Sequence, residues 1–189
     1  VRYVPPPGAR RLVVLLHGAG GTADAGLHLL RAHADEHRLM LYAPQSSGPT
    51  WDVITGGYGP DVHRIQQALE QILRGQPALA ERPAIGGFSD GGSYALSLGL
   101  TNGDVFDAIL AFSPGFASPA AEADHPSFFV SHGRADPVLP IDRCGRRIVR
   151  ALRALGYPVR YHEFDGGHTV PAAVVEDALR WLADRPTGR

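Results

Sequence analysis

The sequence predicts an α/β fold, with a mostly parallel central sheet, helices on both faces and little or no lid. Three observations carry this expectation. Six short apolar or β-branched runs alternate with five helical stretches, and that alternation is the signature of parallel strands joined by crossover helices. The runs are almost continuously apolar, as strands covered on both faces are. The length, 189 residues, suits one domain over 1–189, with a core large enough to need no disulfide or metal staple.

Taken in order, residues 1–4 read as an added edge strand before a Pro-Pro-Pro-Gly turn. Arg11–Leu16 (RLVVLL) is the first core strand, stopped by His17-Gly18. A helix is expected over 23–37. The run 39–43 (LMLYA) is a strand stopped by Pro44. Over 60–74, Val62, Ile65, Leu69 and Ile72 recur at helical spacing, with Pro60 inside the start and Gly75 past the end. Ala84–Phe88 (AIGGF) is a strand weakened by its glycines, and Asp90–Thr101 a helix. Ala108–Phe112 (AILAF) ends at Ser113-Pro114, and 127–131 (SFFVS) is the next strand. A helix over 140–155, the strand Val159–Phe164 and a helix over 171–183 complete the chain. Gly156, like Gly75, reads as a helix terminator.

Composition excludes several classes of function. Hydrophobic residues make up 44% and charged residues 20%, with a formal net charge of -1. No strong field therefore favours nucleic acid or an anionic membrane. All 18 basic residues are Arg, which reads as compositional bias. One cysteine, Cys144, excludes an internal disulfide and any multi-cysteine metal site, and it is expected inside the helix over 140–155. No run approaches the length of a membrane span, and no basic-then-apolar leader opens the chain. A cytoplasmic monomer or homodimer is the expectation; the chain starts at Val1, and a leader already removed would leave no trace in it.

In a sheet of this kind, ligands bind beyond the carboxyl ends of the strands. Reactive residues fall just past such ends. Ser89 lies in Gly87-Phe88-Ser89-Asp90-Gly91, a G-x-S-x-G between a strand and a helix, the context of a nucleophile elbow. The bend is so tight that positions two before and two after the serine must lack side chains. The N–H of Asp90 would face the oxyanion formed when Ser89 attacks a carbonyl. Asp136 follows the SFFVS strand in His132-Gly133-Arg134-Ala135-Asp136, where a carboxylate can orient an imidazole. His168 sits in the glycine-rich loop Asp165-Gly166-Gly167-His168 between the last strand and helix. The chain order Ser, Asp, His is that of the α/β-hydrolases. His17-Gly18-Ala19-Gly20-Gly21, straight after RLVVLL, matches an oxyanion loop whose donor is the N–H of Ala19 or Gly20. His17 itself is read as holding that loop.

These pieces resemble the small carboxylesterase/phospholipase branch of the α/β-hydrolases, the group that includes acyl-protein thioesterases. The matching segments are LLHGAGG, LYAPQ, GGYGPDV, GGFSDGGSYAL, LAFSPGF, SHGRADPVLPI and DGGHTVP. The resemblance implies an α/β-hydrolase fold, Ser89 as nucleophile, His168 as base, Asp136 as its partner, and a canopy-poor serine esterase without metal or cofactor. The family takes thioesters, short carboxylesters, lysophospholipids and aryl esters. Its thioesterases carry extra loop sequence that builds a long-acyl channel, for which 43–60 and 112–127 leave no room.

Other features are weighed against blander readings. His33 and His37 formally match H-x-x-E-H, with both imidazoles on one helix face; a solvated helix end is favoured over a zinc site, and no metal is expected. The arginines of the helix over 140–155 read as a solvated face opposite an apolar stripe. His132 is expected to steady its loop near Asp136. Trp51 either plugs the scaffold or lines the cleft, while Phe116 and Leu139 are candidates to hold an acyl or aryl group. The function expected is hydrolysis of small-molecule carboxylic esters, short-chain or aryl-type. A thioesterase or acyltransferase with the same triad is the near alternative, and a silent binding protein on a hydrolase scaffold the remote one.

Overall fold

A computed structural model describes residues 2–4, 8–79, 83–121 and 124–185. Val1 and the prolines at 5–7, placed above in an edge strand and a turn, lie outside them. β1 (Arg2–Tyr3) runs antiparallel to β3 (Leu39–Tyr42). With β2 (Arg11–Leu16), β4 (Ala84–Phe88), β5 (Ala108–Phe112), β6 (Ser127–Gly133) and β7 (Val159–Phe164), they form a seven-stranded sheet ordered β1-β3-β2-β4-β5-β6-β7. Every pairing except β1 with β3 is parallel.

Side chains alternate across each strand, so the apolar runs feed two cores. On one face, Leu12, Val14 and Leu16 of β2 meet Ile65 and Leu69 of α3 (Pro60–Gly75), Leu96 of α4 (Asp90–Thr101) and Ile148 of α5 (Gly145–Ala154). On the other face, Val13 and Leu15 meet Ala23 of α1 (Ala23–His28) and Val174, Ala178 and Leu182 of α6 (Ala172–Ala183). A short helix, α2 (Asp52–Thr55), precedes α3. None of the described helices is long and apolar enough to cross a membrane.

Two predicted helices are shorter than their periodicity suggested. The stretch 23–37 divides into α1 and a 3-10 turn, Arg31–His33. Leu30 takes φ -126° and ψ -2°, which breaks the ladder and buries both Leu30 and Ala34. His33 ends that 3-10 turn and His37 lies beyond it in a turn, outside any regular helix. The stretch 140–155 becomes helical only at Gly145, because Cys144 takes φ -117° and ψ -95°. Cys144 is thus a buried residue at the helix cap and not inside the helix.

The sheet order sets the location of the site. β2 continues to β3 on one side, while β4 pairs on the other, with Leu16 opposite Gly87. The loops leaving β2 and β4 therefore emerge side by side at the switch point, where open α/β sheets bind ligands.

Candidate active site

Ser89 joins β4 to α4 at φ 57° and ψ -119°. A positive φ on a residue with a side chain is strained and persists only where its surroundings impose it. Here backbone contacts impose it. A Cβ on Gly91 would lie 2.1 Å from the Leu16 carbonyl oxygen, and one on Gly87 would lie 2.5 Å from that of Gly91. Only glycine fits on either side of the bend, as the motif implied. The Ser89 N–H donates to the Phe112 carbonyl at 2.9 Å. The Ser93 hydroxyl donates to the Ser89 carbonyl at 3.1 Å and accepts the Gly115 N–H at 2.9 Å, which ties the loop after β5 to the elbow.

His168 Nε2 lies 2.9 Å from Ser89 Oγ, and His168 Nδ1 lies 2.7 Å from Asp136 Oδ2. With the carboxylate ionised, Nδ1–H donates to Asp136, leaving Nε2 as acceptor for the serine proton. Asp136 Oδ1 accepts the N–H of Val138 at 2.9 Å and of Leu139 at 2.8 Å. Burial opposes ionisation of Asp136, but the Leu139 N–H, the His168 imidazole and the Val138 N–H outweigh it. Together they hold the carboxyl below the usual carboxylate range. His132 is fully buried, donates from Nε2 to the Leu139 carbonyl at 2.7 Å, and stands 3.3 Å from Asp136 Oδ2. Burial pushes its pKa down, so it is a neutral prop for the loop.

Gly18 lies over the elbow, where a Cβ on it would be 3.5 Å from that of Ser89. The Gly20 N–H is used by the Pro49 carbonyl at 2.6 Å, and that of Gly21 by Gly18 at 3.0 Å. The Ala19 N–H has no partner among the described residues. Neither has the N–H of Asp90, the first amide of α4, where the helix dipole adds positive character. Of the two loop donors left open by sequence, Ala19 is the one with a free amide. His17 Nδ1–H donates to the Gly18 carbonyl at 2.8 Å, and Nε2 accepts the Ser46 N–H at 3.2 Å. Both ring nitrogens are occupied in holding backbone.

Phe116 and Leu139 are half-buried at this edge. Their loops abut, since a Cβ on Gly115 would lie 3.2 Å from Leu139 Cδ2. Of the two readings open for Trp51, the structure has the scaffold plug and not the substrate-binding one. Trp51 is 0% exposed, donates from its indole to the His17 carbonyl at 2.8 Å and stacks on Tyr94 at 5.2 Å. The flat indole fills the space under the loop after β2, so it supports the scaffold and forms no cleft wall. Sequence reasoning missed the buried pair beside it. Asp52 accepts the N–H groups of Gly59 and Asp61 and the Tyr94 hydroxyl, while Asp61 accepts the N–H of Ser47 and Asp52. Two aspartates flanking a Gly-rich turn before a helix were the available signal. Among the described residues, no group of three His, Cys, Asp or Glu side chains converges as metal ligands would.

With this geometry in view, comparison with known proteins is decisive about kinship. A family model for phospholipase/carboxylesterase matches residues 60–184. The chain belongs to the phospholipase/carboxylesterase family. Over 128 residues it is 32% identical to acyl-protein thioesterase 1 of Gibberella zeae, covering 62% of this chain and 52% of that protein. The family member described here thus spans about half the length of that relative. It superposes on esterase PE8 with a TM-score of 0.80 at 26% identity, over 96% of both chains. The fold also matches a phospholipase/carboxylesterase from Dyadobacter fermentans, with a TM-score of 0.72 at 24% identity, over 95% of this chain and 93% of the other.

Proposed function

We propose that this chain is a serine esterase that hydrolyses short-chain or aryl carboxylic esters through an acyl-enzyme. The observation that carries the reading is the unbroken line from Asp136 through His168 to Ser89, with two unpartnered amides beside the serine. His168 Nε2 takes the Ser89 proton as Oγ bonds to the ester carbonyl carbon. The carbonyl oxygen gains the negative charge, and the N–H groups of Ala19 and Asp90 stabilise it. His168 then donates the proton to the departing alcohol oxygen as the C–O bond breaks. Water then attacks the acyl carbon as His168 takes its proton, and His168 returns that proton to Ser89 Oγ as the C–Oγ bond breaks and the acid leaves. Asp136 keeps the imidazole in the required tautomer and stabilises its cation. No step calls on a metal or cofactor. Every group comes from one chain, which supports activity in a monomer or a homodimer alike.

A fluorophosphonate probe is expected to label wild-type protein at Ser89. Ser89→Ala should abolish labelling and lower kcat by about 10⁶-fold. Full esterase activity in Ser89→Ala would overturn the mechanism. Similarity to an acyl-protein thioesterase favours one second reading, thioester hydrolysis by the same groups. Rates on an oxygen ester and a thioester of one acyl chain separate the two.

A further inference from the structure

The esterase reading leaves open which part of the substrate gives the protein its selectivity. An open groove of about 440 Å³ lies next to His168, between α1 with its following turn and the start of α6. Leu29, Ala32, Phe88, Val170 and Val175 line it, together with His28 and His33. No Asp, Glu or Arg is among its described lining residues. The Phe88 ring packs on the His168 imidazole with centroids 4.7 Å apart, so the apolar wall runs up to the proton-transferring group itself.

Three points orient an ester at Ser89. The carbonyl carbon must sit at Oγ and the carbonyl oxygen must face the Ala19 and Asp90 amides. The leaving oxygen must lie near His168 Nε2, since that atom protonates it. The alcohol portion is therefore the fragment that passes His168. Phe88 and Val170 belong to the apolar face packed by α1 and α6. Phe116 is held on the opposite side, where its neighbour Ala117 packs with the α3–α4–α5 face and its loop is bonded to Ser93. The ester is thus divided by the sheet edge, alcohol to one face and acyl group to the other.

We propose that this groove is the leaving-group site and that it selects esters of apolar, ring-bearing alcohols. The inference rests on the esterase reading and adds the substrate class. Its apolar side chains favour a hydrocarbon ring over a cationic alcohol, because no carboxylate in the described lining would pair with such a charge. The open shape suits a flat ring better than a long chain needing enclosure.

The test compares benzyl acetate, 2-naphthylmethyl acetate and ethyl acetate, whose alcohols are similarly poor leaving groups. Chemistry then stays constant while the groove's occupant changes. Wild-type kcat/KM should favour benzyl over ethyl acetate by at least about tenfold, mainly through KM. Ala32→Asp puts a carboxylate into the groove at an exposed position and should cut that ratio by about tenfold. Leu29→Ala widens it and should raise preference for the naphthylmethyl ester over the benzyl ester. A wild-type ratio near one, or an unchanged ratio in a folded Ala32→Asp variant, would overturn the proposal. If Ser89 takes the fluorophosphonate label yet shows no preference for ring-bearing alcohols, the groove alone is refuted. If Ser89 is not labelled and no ester is turned over, the esterase reading fails and the groove assignment falls with it.

Discussion

Ser89 is placed by backbone packed on backbone, whereas the loops of Asp136 and His168 add hydrogen bonds and ion pairs to one close backbone approach, where a Cβ on Gly133 would lie 2.3 Å from the Gly167 carbonyl oxygen. On the first side, Gly87 and Gly91 let the elbow close on the end of β2, and Gly18 lies directly over Ser89. On the second side, the loop carrying Asp136 is fastened to β7 and the loop beyond it. The Arg134 N–H donates to the Phe164 carbonyl at 2.9 Å, and its guanidinium bonds Glu163 at 3.3 Å and Asp165 at 2.7 Å. Arg146 of α5 holds Glu163 by two further contacts of 2.7 Å. Backbone contacts cannot yield to a new methyl group, but charged contacts respond to protons. The first side should therefore fail by steric change, and the second also by change of charge or tautomer.

Four substitutions probe that contrast, from the largest effect to the smallest. Ser89→Ala removes the group both sides serve, with the loss of about 10⁶-fold in kcat already stated. Asp136→Asn should lower kcat by about 10⁴-fold, since an amide no longer enforces the Nδ1–H tautomer. Its melting temperature should stay close to wild type. A loss of rate matched by loss of fold would mean that Asp136 acts through stability alone. Gly91→Ala should do the reverse. Alanine gains about 1 kcal/mol of helix propensity, but its Cβ would press on the Leu16 carbonyl at 2.1 Å. Overpacking against backbone should dominate at about 3 kcal/mol, read as a lower urea midpoint. An unchanged midpoint would show that the elbow is not held by this contact.

Arg146→Ala is the mildest. The Arg146 guanidinium beside Glu163 lowers that carboxyl from its ordinary 4.5 to about 2. Between those values the folded chain binds fewer protons than the unfolded one, so stability present above pH 4.5 is lost as pH falls toward 2. The variant should have a slightly lower urea midpoint at neutral pH, and the difference should shrink as pH approaches 2. A difference independent of pH would assign Arg146 a packing role instead.

Much of this was legible in the chain because the signals are local. The apolar runs were placed within a residue or two of the observed strands, since each is bounded by Pro, Gly or a polar residue that ends pairing. The elbow was legible because a tight bend needs glycine at fixed offsets, whatever the rest of the chain does. Residues with several equivalent roles were not legible. Trp51 is apolar enough to line a cleft or fill a core, and only the position of the His17 carbonyl decides for the core. The helical period over 23–37 continued past the point where burial of Leu30 and Ala34 required a break.

Strand order along the chain, the need for glycine around Ser89, and the candidates Ser89, Asp136 and His168 are all written in the sequence. Each follows from local sterics or from the chemistry a side chain can perform. Tertiary structure alone decided the rest. It brought residues 79 positions apart in sequence to 2.9 Å, left Ala19 as the free amide by giving Gly20 to Pro49, and set a groove against His168. Those outcomes depend on which segments meet in space. Long-range packing fixes that choice, and no spacing within one segment encodes it.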